Sequence, residues 1–292
     1  MSASVARRGC MMSTRIIAAL AVVCLLGLAL PQSQATIWEI SKDWTLYGNL
    51  DQDDIPGIGA VACGPTAAVN SFVYLENAYP WIYDNSLTPV QFNNHDGDED
   101  IDAYDDMIDA ALTLAGPNYM NTQPPGGTFH DSFIWGKYSY IEGLVPGMTR
   151  YEAQDFWNWQ NHVRPAWVDP VIPTWDFIYG ELFDCEDVEI LINGVYEDYG
   201  HYLTLTSFHW DDVANSGWMD YIDPATGTLR VTNIWLDDAT GQIRTDYWGE
   251  GYQVSWISMA VSESPIPEPG TLLLLVCSGV VAGACLRRRR HR

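Results

Sequence analysis

Positive charge is what the central part of this sequence has least of. Between Thr36 and Ser262 the basic residues are Lys42, Lys137, Arg150, Arg164, Arg230 and Arg244, whereas the whole sequence holds 38 acidic residues and a formal net charge of −24. A body this acidic repels nucleic-acid phosphates and anionic membrane surfaces, so no nucleic-acid partner is expected. A Gly-rich phosphate loop, the paired ligand spacing of a zinc site and an internal repeat are also missing, and no cofactor or metal is expected. Cysteine is scarce where it matters. Cys10, Cys24, Cys277 and Cys285 fall at the ends, leaving Cys63 and Cys185 in the body. The 13 Trp, 16 Tyr and 8 Phe exclude a disordered acidic protein. They suit a packed, β-rich core, and also contact with sugars.

Long hydrophobic runs occur at the two ends. Residues 1–35 read as a signal peptide: Arg7, Arg8 and Arg15 precede an apolar stretch over 16–30, and Ser33-Gln34-Ala35 supplies the small-x-small pattern that signal peptidase recognises. An uncleaved N-terminal anchor is the alternative. Residues 271–286 carry no charge. As a helix rising about 1.5 Å per residue they cover roughly 24 Å, somewhat under a roughly 30 Å hydrocarbon core. Arg287-Arg288-Arg289-Arg290 behind them stays in the cytoplasm, which places the body outside it.

Pro267-Glu268-Pro269, the apolar helix and the arginine cluster, in that order, resemble the PEP-CTERM sorting signal of Gram-negative bacteria over residues 267–292. The resemblance implies transient anchoring in the inner membrane through the C-terminal helix. It further implies recognition by an exosortase-type sorting enzyme that cuts near the triplet, and delivery of the body to the cell surface or extracellular matrix. An ordinary single-pass tail anchor is the alternative. Residues 36–262 then form the body and 263–292 the sorting segment, with its transmembrane helix at 271–286.

Within the body, Cys63-Gly64-Pro65-Thr66 stands at a helix start. Pro65 suits a first turn, Ala68, Phe72, Leu75 and Tyr79 recur at helical spacing, and Pro80 ends the run. A thiol there meets unpaired backbone N–H groups and the positive dipole end, which favour the thiolate. Gly64 lets backbone approach a substrate. His201 opens an alternating strand, Gly200 to Phe208, preceded by a strand candidate over 188–192. A further strand runs from Trp218 to Asp223, where Pro224 stops it.

The order Cys63, His201, Asp223, with 138 residues from the first to the second, fits the spacing of papain-type enzymes. These motifs resemble the bacteriocin-processing, C39-like cysteine peptidases. The resemblance implies an α+β, papain-like fold, its N-terminal helical part carrying the cysteine helix packed on an antiparallel sheet that carries histidine and aspartate. It implies Cys63 as nucleophile, His201 as proton carrier and Asp223 as its orienter, with a peptide or protein as substrate. The family places an oxyanion-binding glutamine about six residues before the cysteine. Here that position is Gly57, and Gln52 is the nearest glutamine.

Other readings stand beside this one. Cys63 and Cys185 can form a disulfide. A catalytically silent surface or matrix protein that keeps the papain-like shape for binding is one alternative, and a transglutaminase-like acyltransferase, which can share the same three residues, is another. Asp220 is a second candidate orienter, and His209 lies at the far end of the His201 strand. His95, His130 and His162 read as surface or loop positions. The acidic run Asp96 to Asp102 reads either as a calcium site or as a solvated entry to a helix. Residues 116–127, with three prolines, read as a loop near the cleft.

Overall fold

Strand pairing organises the molecule. In the computed structural model the described residues are 36–89, 103–184, 186–194, 200–248 and 255–266. The expected signal peptide at 1–35, the acidic run from Asp96 to Asp102, Cys185, the apolar span 271–286 and the terminal arginines lie outside them.

Six strands pair in sequence order, all antiparallel: β4 (Asp187–Gly194), β5 (Gly200–Asp211), β6 (Ser216–Asp223), β7 (Thr228–Asp237), β8 (Gln242–Thr245) and β9 (Ser255–Pro265). β9 then pairs with β4, from Asp187 opposite Glu263 to Gly194 opposite Ser255, and the sheet closes into a barrel. Closure leaves these six strands without a free edge. Bulges at Ser258 of β9, opposite Leu191 and Ile192, and at Thr206 of β5 bend β9 and β5 into the curve. The long strands take extra partners: β1 (Ile37–Ser41) lies along Ser207 to Asp211 of β5. β2 (Thr149–Asp155) lies along Met259 to Pro265 of β9, and β3 (Val168–Asp169) runs parallel to β2.

Side-chain alternation divides the core in two. All six barrel strands feed one cluster, which includes Ile190, Leu203, Met219, Ile234, Ile243 and Ile257. Helix α4 (Trp175–Phe183) adds Ile178 and Leu182 to it. The opposite face presents Leu191, Tyr202, Ile222, Met259 and Val261 to a second cluster formed with α1 (Cys63–Ala78), α2 (Ala103–Ala115) and α3 (His130–Leu144). Each large apolar residue so covered contributes roughly 1.5–3 kcal/mol. Lys137 of α3, fully buried, reaches into this interface. Its Nζ lies 2.5 and 2.6 Å from the two carboxylate oxygens of Glu189 and 3.2 Å from Asp187, and it also bonds Glu263. Asp187, Glu189 and Glu263 have the mutual spacing of a metal site, but the lysine ammonium occupies their centre.

The expected α+β papain-like fold with a transmembrane helix is therefore corrected. The strand candidates that carry His201 and Asp223 do form. They belong to a closed six-stranded barrel with few helices around it, because β7, β8 and β9 complete a ring that three strands cannot make. No helix among the described residues is long and apolar enough to cross a membrane.

Candidate active site

α1 begins at Cys63 itself, with Ala62 as a cap residue that makes no side-chain hydrogen bond. The thiol is half-buried and is the free cysteine among the described residues. Gly64 is needed for packing more than for substrate approach, since a Cβ there would come within 2.9 Å of Thr128 Oγ1. Across the barrel mouth, His201 is the second residue of β5 and shares its facing with Leu203 and Leu205. Its Nε2 lies 2.9 Å from Asp223 Oδ1. With Nε2 engaged, Nδ1 is the ring nitrogen left for the thiol, and the Cys63 thiol hydrogen-bonds the ring.

Asp223, the last residue of β6, is held by more than the imidazole. Ala225 N–H donates to Oδ1 at 3.0 Å and Tyr247 Oη donates to Oδ2 at 3.0 Å, while Arg230 Nε stands 3.6 Å from Oδ2. The Tyr247 ring also covers the imidazole, with centroids 5.4 Å apart. Sequence reading missed Tyr247, which follows β8 in a loop and carries no motif.

Electrostatics couple the three groups. Burial pushes the Cys63 thiol up, but the hydrogen bond and charge of His201 and the backbone N–H groups of Tyr202 and Gly64 outweigh it, so its pKa is lowered. Burial pulls His201 down, yet the bonds to Asp223 and Cys63 raise it to about 9. Asp223 is pushed up by burial and pulled further down by His201, Ala225 and Tyr247, ending below its ordinary value. The arrangement favours a thiolate–imidazolium pair backed by a carboxylate.

Gln52 sits in the wall of the same cleft, which encloses about 460 Å³ and is also lined by Cys63, His201, Tyr202 and Trp157. The eleven-residue separation from Cys63 is bridged by a short 3-10 turn, Gln52–Asp54, tied to the β6–β7 turn. Gln52 N–H donates to Pro224 O at 2.7 Å, and Gly227, at φ +58, leaves room for Asn49 O, which a Cβ would meet at 2.2 Å. The side-chain Oε1 of Gln52 is buried with no hydrogen-bond partner among the described residues. The loop expected near the cleft does border it, through Pro125, Gly126 and Gly127.

The other candidates separate cleanly. Asp220 accepts from Ser207 Oγ at 2.7 Å and does not bond His201. His209 stacks on Trp218 and faces Glu39 at 3.7 Å. His162 stacks on Trp135, and His95 lies outside the described residues. His130 overturns its expected surface role: it lines the cleft, and its Nδ1 lies 2.7 Å from the fully buried Asp155.

A family model for the PEP-CTERM protein-sorting motif matches residues 265–290. The protein bears a PEP-CTERM sorting motif. Such a motif marks an exported protein processed by an exosortase-type sorting enzyme, anchored in a membrane and then sorted to the surface. The match starts at Pro265, the last residue of β9, so the sorting segment follows the sheet directly. It leaves the rest of the body uncovered, and no curated protein matches the sequence.

Proposed function

We propose that the body is an exported cysteine hydrolase that cleaves peptide or amide bonds and reaches its destination through the sorting motif. The observation that carries this reading is the line from the Cys63 thiol through His201 to Asp223 at the mouth of an open cleft. The Cys63 thiolate attacks the carbonyl carbon. The resulting oxyanion meets the free N–H groups at the start of α1. Imidazolium then delivers its proton to the departing amine, leaving a thioester on Sγ. Neutral His201 next takes a proton from water, whose oxygen displaces the thiolate and releases the acid. Asp223 keeps the ring oriented throughout.

Gln52 completes the oxyanion site. A half-turn of its terminal amide exchanges the unpartnered Oε1 for an N–H aimed at the same place. Signal peptidase removes residues 1–35, and the sorting motif anchors the body transiently in a membrane until sorting. The test is hydrolysis of a mixed peptide pool by the purified protein and by its Cys63→Ala variant. Cleavage confined to the protein with the thiol supports the proposal. Absence of cleavage, with partners still bound by the variant, supports the silent surface-protein alternative.

A further inference from the structure

The cleft contains a second histidine–carboxylate pair that the hydrolytic steps do not use. His130 is the first residue of α3 and lines the cleft, with its imidazole 15% exposed. Asp155, at the end of β2 and fully buried, accepts from His130 Nδ1 at 2.7 Å, from Trp159 Nε1 at 2.6 Å and from Trp157 N–H at 3.1 Å. His130 Nδ1 is engaged by this carboxylate, and Nε2 is the ring atom left for a ligand. With Nδ1 given to Asp155, Nε2 can donate to a carboxylate ligand only when the ring holds both protons, which a bound anion favours.

The surroundings select the ligand's charge. None of the described residues lining this cleft is an aspartate or glutamate, although the sequence holds 38 of them. Arg164, one of the body's few cations, bonds the carbonyl of Trp157 and stands 5.8 Å over the Trp159 ring. Its Nε is buried without a partner among the described residues. The free N–H end of α3 adds partial positive charge beside His130. The nearest carboxylate of α3, Asp131, is spent on Gln160 and Asn161.

Resting on the hydrolase reading above, we infer that His130, positioned by Asp155, forms a substrate subsite for a peptide carboxylate, whether an acidic residue or a free peptide terminus. Binding of a charge-assisted partner at such a subsite is worth roughly tenfold or more in affinity.

The test uses the full-length protein with Cys63→Ala and isothermal calorimetry with two pairs of hexapeptides. One pair differs by Glu against Gln at an internal position, the other by a free against an amidated C-terminus. We expect the carboxylate member of at least one pair to bind about tenfold tighter, and His130→Gln to abolish that difference. A preference in the first pair assigns an acidic residue, and in the second a peptide terminus. Equal affinities in both pairs, or a preference that survives His130→Gln, overturn the subsite. Should His130→Gln fail to fold, ¹⁵N resonances of His130 in the folded protein serve instead. They move on adding the carboxylate peptide and not its amide; an unmoved Nε2 signal overturns the proposal. Alkylation of Cys63 does not depend on this subsite, so the hydrolase reading stands or falls separately.

Discussion

His201 Nε2 lies 2.9 Å from Asp223 Oδ1 because the β5–β6 ladder sets Thr204 opposite Ile222, bringing the start of one strand beside the end of the next. The bond belongs to the barrel's hydrogen-bond register rather than to a flexible loop. Substituting Asp223→Asn keeps the shape and removes the charge that holds the imidazolium. Peptide hydrolysis is expected to fall by roughly 10²–10⁴, with an unchanged melting curve as the control for folding.

Activity should follow a bell in pH. Its acid side reports the Cys63 thiolate taking up a proton at a lowered pKa. Its alkaline side lies near 9, where His201 loses the proton it must give to the leaving group. A kcat/KM profile measures both limbs; an alkaline limb near the ordinary imidazole value contradicts the raised pKa.

Tyr247 acts through Asp223, as a positioning residue. Tyr247→Phe removes the donor to Oδ2 and leaves the ring over His201. The variant should lose roughly tenfold in kcat with KM little changed, and its alkaline limb should shift. An effect on KM alone would mean that the hydroxyl contacts substrate instead.

In the proposed mechanism Gln52, which lines the cleft, would supply a side-chain amide beside the backbone at the start of α1. Gln52→Ala should lower kcat by roughly 10²–10³ without a matching rise in KM. An unchanged kcat would leave the oxyanion to the helix end alone.

The Lys137 cluster governs stability. Burial pushes Glu189 up to about 7 from an ordinary 4.5, with Asp187 adding to the rise and Lys137 opposing it. Between those values the folded protein keeps a proton that the unfolded one has released, so stability should decline as pH rises through that window. Lys137→Met strands three buried carboxylates and should cost about 3–5 kcal/mol at neutral pH, read from urea unfolding.

The site was more legible in the sequence than the fold. Cys63 announces itself by Pro65 two residues on and by the apolar spacing of α1, and His201 by the alternation of β5. These are local signals. Barrel closure depends on β9 finding β4, some seventy residues earlier, and β9 is buried along ten of its positions, with Ser258, Ser262 and Glu263 among them. Such a strand has no period-two pattern to recognise. His130 and Asp155 lie on different elements and meet only through tertiary packing, so neither residue's neighbourhood pointed to the other.

The state of one sulfur tests the account most directly. The rate of Cys63 alkylation by iodoacetamide, followed by intact mass across pH in the protein and in His201→Ala, reports the thiolate. The expected result is fast labelling well below the ordinary thiol pKa of about 8.5, with the midpoint moving upward when His201 is removed. Labelling that titrates like a simple thiol in both proteins would contradict the thiolate–imidazolium pair and the hydrolase built on it.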